Sequence, residues 1–537
     1  MKAKLRIVGL LAAPLPILAL AVPAATASSA PAGRVALAGI ISPTLEHATR
    51  TGAVASGQKL GLEVSLKVRN QANLDAFVRA VSDPKSPLYQ HYLTVAQYAA
   101  EYGASDAQVA QVTSYLKSEG LSVGQVTANH LTVSVSGSAA DVEKAFDVSL
   151  GTYTASGHSF YANASAATLP ASIASVVSGV AGLNDQALHT SYLEQSKAVV
   201  SHAGTTITPT VAREGYNLTT DISDGYNGSG KTIALAEFSS YTASDVSEYN
   251  SKYSLGAKAA SVVSVDGGST DNSGEDEDEL DIEVDYALAP GATIKVYEAP
   301  NSDAGEVALY SAIVSADTAS ASSSWGEPET EEDNLSSDDA DFEEAAAQGQ
   351  SFFAASGDDG ADDNGSSLSV DYPASDPYVS GTAATELTVS SGKWSSETAW
   401  SGSGGGISVE WAKPAYQDAV NSGSYRDVPD VAADGAEASP WYIYTEGGWY
   451  DVWGTSAAAP NWAAFIADYD TAATDLGKSK FGYVNSVVYP LGEGSLYHTL
   501  FHDVTSGNNG GYSAGTGYDL VSGWGSYNGG AFISDEL

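Results

Sequence analysis

Apolar and polar residues alternate with two different periods along this chain, and the change of period divides it. Between about residues 60 and 165 the two are mixed. The stretch LGLEVSLKV alternates every second residue and predicts a strand, whereas NLDAFVRAVSD repeats at helical spacing. SDAQVAQVTSYLKSEG predicts a helix with Ser105 as its cap. LTVSVSG then alternates as a strand, SAADVEKAFDV returns to helix, and LGTYTA opens another strand. Two helices packed on an antiparallel sheet would bury these apolar positions. From about 188 to 207, LHTSYLEQSKAVVSHAGTTI has only weak periodicity and reads as a linker. Beyond it, short strand-like runs (TIALAEF, ATIKVYEAP, ASASSSW, SFFAASG) alternate with helical stretches. That order predicts an α/β domain with a doubly wound parallel sheet.

The first 27 residues stand outside this pattern. Lys2, Lys4 and Arg6 precede an apolar run that ends in the small residues Ala25-Thr26-Ala27, the layout of a cleaved secretion signal. Pro14, Pro16 and Pro23 argue against a membrane anchor, and no later run is apolar enough to span a bilayer. A secreted, extracellular protein is expected. It contains no cysteine, so no disulfide contributes stability and a metal could take that role. The 66 acidic residues against 23 basic ones give a net charge of −43. Nucleic-acid binding needs clustered Lys and Arg, so that class is disfavoured. The same charge suits an acid medium, in which carboxyls protonate; a halophilic or merely soluble surface is the plainer alternative. GYNGSGKT, residues 225–232, fits a phosphate-binding loop letter for letter. That loop must follow a strand and open a helix, yet here a polar stretch leads and TIALAEF follows. A turn feeding a strand is predicted, with no nucleotide.

WGTSAAAPNWAAFIADY sets Ser456 before an alanine-rich, helix-forming segment. A lone serine there could be only a helix cap. Small neighbours would also let a peptide backbone approach, and a helix N-terminus favours developing negative charge. A serine nucleophile needs a base. The eight histidines include none between 203 and 497, so a histidine base would have to be His498 or His502 at the far end of the chain. A carboxylate is the nearer alternative. In GEDEDELDIEVDYALAPGA, Glu277 and Asp281 lie four residues apart and share one face of a helix. Carboxyls brought together titrate as a pair, so Asp281 could orient Glu277 while Glu277 takes the serine proton. Glu275, Asp276, Asp278 and Glu279 read as a solvated acidic run.

Ser456 resembles the nucleophile of the GTS-x-x-x-P motif of subtilisin-like serine peptidases. With E-x-x-L-D and S-G-D in the same order, the chain resembles the sedolisin family of serine-carboxyl peptidases, and within it the kumamolisin group. SPLYQHYLT and VSGSAADVEKAFDVSLGTY resemble that family's propeptide, and LDIEVDYALAPGATIKVYEAPNSDAG, SSSWG, VDYPASDPYV, SGGGISVEW and VPDVAAD follow in family order. The resemblance implies a subtilisin-like catalytic domain at 204–537, preceded by a ferredoxin-like α+β propeptide at 28–203 and the signal peptide at 1–27. It implies an acid-acting endopeptidase made as a zymogen, with Ser456 as nucleophile, Glu277 as base and Asp281 as its partner. Asp358 stands where the family places an oxyanion-stabilising acid. Glu237 and Trp325 match positions that extend the hydrogen-bond chain; read alone they are equally a strand-end Glu and a packed Trp. Asp371 matches a substrate-pocket residue that favours basic side chains. Trp453 is a departure, a bulky ring where a small residue is usual, and it could narrow the pocket. FHDVTSGNNGGYSAGTGYDLVSGWG resembles the family's calcium loop, implying one structural Ca2+ on Asp503, the carbonyls of Val504, Gly515 and Gly517, and Asp519. Two aspartates in a glycine-rich loop are otherwise an ordinary turn. The partners implied are polypeptide substrates and the chain's own propeptide, which should cover the cleft and leave on acidification as interfacial ion pairs weaken. A monomer without membrane or nucleic-acid partners is expected. A silent homologue acting as a binding protein, or an exopeptidase of the same fold, are the rival readings.

Overall fold

The computed structural model describes residues 33–37, 41–42, 45, 48–155, 157–186, 189–196, 205–332 and 334–537. The signal segment 1–27 and the propeptide boundary at 203 lie outside the described residues. In the N-terminal unit, strands Ser122–Val126, Thr132–Ser138, Lys59–Leu66 and Val177–Ala181 lie side by side in that order, all antiparallel. Helix Asp106–Ser118 starts where the sequence predicts it. The Ser105 hydroxyl accepts the Gln108 N–H and the Gln108 side chain returns to the Ser105 N–H, so two otherwise orphaned donors are satisfied. Leu116 of this helix and Val142 and Phe146 of helix Ala139–Phe146 share one core with Leu62, Val64 and Val133 of the sheet. LGTYTA departs from that sheet and pairs with Thr49–Ala53 and His158–Asn163 in a separate antiparallel ribbon.

The C-terminal domain is a three-layer α/β structure. Its sheet runs Ser261–Ser264, Thr293–Glu298, Thr232–Glu237, Ser320–Ser323, Ser351–Ala355, Ser380–Val389, with Trp394–Ala399 antiparallel at one edge and Val431–Asp434 parallel beside Ser380–Val389. Several of these strands are buried along nearly their whole length, which explains the apolar runs of Thr232–Glu237 and Ser351–Ala355; Ser320–Ser323 is as buried but built of small residues. GYNGSGKT turns the chain from helix Thr219–Asp224 into strand Thr232–Glu237, as its context predicts. Helix Ala458–Leu476 is buried from Ala458 to Ala473, its alanines allowing close packing and its Trp462 indole donating to the Ala432 carbonyl at 2.8 Å. Among the described residues no helix is long and apolar enough to cross a membrane.

The N-terminal unit docks on helix Leu335–Gln348 of the C-terminal domain. Leu74, Val78, Tyr98 and Leu131 pack with Ala346, Ala347 and Tyr483. Amides donate to carboxyls across this contact. Asn129 Nδ2 reaches Asp341 at 3.1 Å and Glu344 at 2.7 Å, and Asn184 Nδ2 reaches Asp303 at 2.6 Å.

The presumed linker is also ordered at its start. Thr190–Ser191 pairs antiparallel with Trp325–Pro328, and Glu194–Ser196 pairs with Gly448–Trp453. Its order comes from two strand edges on the catalytic domain, not from an apolar face of its own, so hydrophobic periodicity carries no trace of it.

Candidate active site

Four elements converge on the cleft. Ser456 sits in the single helical turn Thr455–Ala457 that leads into helix Ala458–Leu476. Glu277 and Asp281 lie one turn apart on helix Glu275–Leu288, as their spacing predicts. Glu237 ends strand Thr232–Glu237, and Trp325 opens strand Trp325–Pro328 of a separate small sheet.

Of the four carboxyls expected to form a solvated run, Glu275 and Asp276 are half-buried at the start of helix Glu275–Leu288 and the other two are not solvated. Asp278 and Glu279 are fully buried with Glu277 and Asp281. The difference has a physical cause: nothing local distinguishes a carboxyl facing water from one facing another carboxyl with a shared proton. Asp278 shares such a hydrogen bond with Glu237. Burial foremost, then Glu237, drives Asp278 well above the usual carboxyl range, while Glu237 is pushed up to about 7. Glu237 also accepts the Trp325 indole N–H at 2.7 Å, so this pair forms a hydrogen-bonded chain and not a pair of independent packing residues.

Burial pushes the Glu277 carboxyl well up; the Ser456 hydroxyl beside it pulls back, and Glu237 pushes up again. Asp281 is raised by burial first, then by Glu237 and Glu277. Against that push, the Ser324 hydroxyl contacts both Asp281 oxygens at 2.9 Å and lies 3.3 Å from the Ser456 carbonyl. Ser324 was hidden in a run of serines and gave no signal in sequence. Of the two histidines considered as a base, His502 has its ring stacked on Trp394 at 4.2 Å.

The cleft is filled by the chain's own segment 190–196. The Ser456 hydroxyl donates to the Tyr192 carbonyl, and the Tyr192 N–H donates to the Ser324 carbonyl at 3.2 Å. Ser191 lies opposite Trp325 and Glu194 opposite Trp453. Trp453 thus presents its backbone to this segment. Gly454 has φ of 147°, and a Cβ there would lie 2.7 Å from Asp358 Oδ2 and collide with the Tyr192 carbonyl. Only glycine leaves that approach open. Asp358 Oδ1 accepts the Thr455 N–H at 2.8 Å and its hydroxyl at 2.7 Å, which aims the carboxyl at the same point. The Tyr192 side chain is buried, its hydroxyl donating to Asp371. Asp371 therefore lines the pocket that receives this ring.

The C-terminal loop brings Asp503 and Asp519 together. Asp503 Oδ1 accepts the Tyr497 hydroxyl at 2.9 Å and the Gly517 N–H at 3.1 Å, and Asp519 Oδ2 accepts the Gly515 N–H at 2.7 Å. Val504 is buried beside them. The two carboxylates are hard oxygen donors of the kind that suits calcium, while the backbone groups turned toward them here are the N–H groups of Gly515 and Gly517.

This arrangement has relatives. Residues 46–186 match the family model of the pro-kumamolisin activation domain. Sedolisin of Pseudomonas sp. (strain 101) is 31% identical over 520 residues, 88% of this chain and 86% of that protein. Kumamolisin of Bacillus sp. (strain MN-32) is 31% identical over 534 residues, 92% of this chain and 94% of the relative. The solved structure of Pseudomonas sedolisin, a serine-carboxyl proteinase complexed with two molecules of pseudo-iodotyrostatin, aligns with a TM-score of 0.55 at 28% identity, covering 62% of this chain and all of that one (100%). Identity at this level over most of both chains places the protein: it belongs to the sedolisin family of serine-carboxyl peptidases and carries the family's activation domain ahead of its catalytic domain.

Proposed function

We propose that the protein is a secreted, acid-acting endopeptidase that frees itself from its propeptide by cutting between Tyr192 and Leu193. One observation carries this reading. The segment 190–196 lies along two strand edges as an extended peptide substrate does, with the Tyr192 carbonyl on the Ser456 hydroxyl. The chain continues past Ser456 on both sides, so the cleft accepts the middle of a polypeptide, which favours endo- over exopeptidase action.

In this reading Ser456 Oγ attacks the carbonyl carbon while Glu277 accepts its proton. Asp281, held by Ser324, orients Glu277 and shares the pair's proton. Asp358, protonated, donates to the oxygen that becomes negative in the tetrahedral intermediate. The carbon–nitrogen bond then breaks, Glu277 returns the proton to the departing amine, and an acyl-enzyme on Ser456 remains. Water repeats the sequence and releases the acid product. A protonated Asp358 beside an ionised Glu277 confines the reaction to acid, consistent with the −43 charge and the N-terminal signal pattern. The C-terminal loop would hold one calcium ion through Asp503, Asp519 and the carbonyls of Val504, Gly515 and Gly517. That ion would tie down the loop and takes no part in the proton transfers.

Incubating the purified full chain near pH 4 tests the proposal. The wild type should yield a new N-terminus at Leu193 and digest denatured protein; Ser456→Ala should stay full length and inert. Processing of Ser456→Ala at the wild-type rate would overturn it.

A further inference from the structure

A second buried hollow lies beside the cleft, and the propeptide fills it. His189 is the fourth residue on the amino side of the Tyr192–Leu193 bond. Its side chain is completely buried. The imidazole lies flat on Phe238, centroids 4.3 Å apart and 13° from parallel, with Nε2 3.5 Å from Glu306 Oε1. Asn301 holds the backbone at both polar groups: its Oδ1 accepts the His189 N–H at 3.2 Å and its Nδ2 donates to the His189 carbonyl at 2.8 Å. An asparagine placed this way imitates a neighbouring strand and fixes one residue of an extended peptide. Phe238 meets Trp325 edge-on at 6.0 Å, so the hollow is continuous with the strand edge that holds Ser191.

The hollow is lined by carboxyls. Glu306, Glu332 and Asp338 each place a carboxyl oxygen within 4.8 Å of the others, all buried. Glu327 adds a fourth carboxyl near the imidazole. Burial alone would lower the basicity of His189, but Glu306, with Glu327 behind it, more than restores it. An aromatic floor and a carboxylate wall together suit a flat cation, either imidazolium or guanidinium.

We propose that this hollow is a specificity pocket for substrates, selecting a basic planar side chain, histidine or arginine, four residues before the bond that is cut. The inference rests on the peptidase reading above: once residues 189–192 leave, the Phe238–Asn301–Glu306 site opens to any extended peptide in the same register. Glu306 is then a specificity-determining residue that touches no reacting atom.

The test uses processed enzyme and quenched-fluorescence peptides of sequence X-Thr-Ser-Tyr-Leu-Glu, with His, Arg, Ala or Glu at X. A charge-assisted contact predicts kcat/KM for His and Arg on the order of 10- to 100-fold above Ala, with Glu lowest. In Glu306→Gln the ratio of His to Ala should fall to about one. Equal kcat/KM across the series, or a ratio that survives Glu306→Gln, would overturn the pocket. A second measurement needs no activity. In the uncut Ser456→Ala chain, the His189 imidazole, followed by NMR through its titration, should lose its proton at lower pH when Glu306→Gln is added. An unmoved midpoint would also overturn it. If the midpoint moves while no peptide is cleaved by wild type, the peptidase reading fails and the hollow stands as a peptide-binding site. Should Glu306→Gln not fold, the peptide series on wild type decides alone.

Discussion

A carboxyl that is to accept a proton from serine must be ionised, and burial opposes that. Glu277 is fully buried among Glu237, Asp276 and Asp358, and its pKa is raised accordingly. What offsets the push is hydrogen bonding to the charged form. Beside Glu277 the Ser456 hydroxyl pulls the other way; for Asp281 the donor is Ser324, whose hydroxyl lies 2.9 Å from both carboxyl oxygens. Glu277→Gln cannot accept the proton and should cost roughly 10²–10⁴-fold in kcat. Ser324→Ala leaves every proposed catalytic group in place but removes a donor to a charged acceptor. The loss should be about 10- to 100-fold. Because the ionised form of the pair loses support, the acid limb of the pH–rate profile should also move to higher pH. Comparing full profiles of wild type and Ser324→Ala separates these effects: a lower plateau with an unmoved acid limb would show that Ser324 acts only through packing.

At the level of elements, legibility follows from where the stabilising information lies. Helix Asp106–Ser118 was readable because its cap, its apolar stripe and its end are all local. The parallel sheet was readable because strands buried on both faces are continuous apolar runs. Glu277 and Asp281 were readable because helical spacing alone puts them on one face. Asp278 and Glu279, on the same helix, were misread, since their burial depends on Glu237 and on strands distant in sequence. Segment 190–196 was misread for a related reason: its partners, residues 325–326 and 451–453, lie more than a hundred residues away. Its role makes a prediction about Tyr192, whose hydroxyl reaches Asp371 in a pocket that also holds Asp363. Tyr192→Phe keeps the ring and loses one hydrogen bond, so self-processing should slow by about tenfold or less. Tyr192→Asp sets a third carboxyl against Asp371 and Asp363 and should slow it far more. Time courses of propeptide release at one acid pH give both rates. Equal rates for Phe and Asp would mean that this side chain is not read in the cleft.

For the whole molecule, the buried carboxyls predict that acid stabilises the fold. Burial foremost raises Glu237 to about 7, and Glu279, Asp341 and Glu343 to about 8. In an unfolded chain such groups titrate near about 4. Between those values the folded chain holds protons that the unfolded chain releases, so raising pH through that window favours unfolding. Each such carboxyl contributes about 1.4 kcal/mol per pH unit across it. Repulsion within a chain of net charge −43 adds in the same direction. Calcium would act independently, because an ion that binds only the folded loop stabilises by mass action. With calcium present, excess chelator should lower Tm, and Asp503→Ala should abolish that response; a chelator effect that survives Asp503→Ala would place the ion elsewhere. Chelated, uncut Ser456→Ala chain then isolates the carboxyl contribution from both calcium and self-digestion. Its Tm should be higher at pH 5 than at pH 8 by roughly 5 °C or more, since about 1 kcal/mol moves Tm by a few degrees in chains of this size. The interface takes part, because Asn129 donates to Asp341 and Glu344 across it. Ionising Asp341 beside a second carboxyl should loosen the propeptide at alkaline pH as well as the core. A Tm that rises from pH 5 to pH 8 would mean that these carboxyls are solvated or paired with cations, and that the buried acidic lattice does not set the protein's working range.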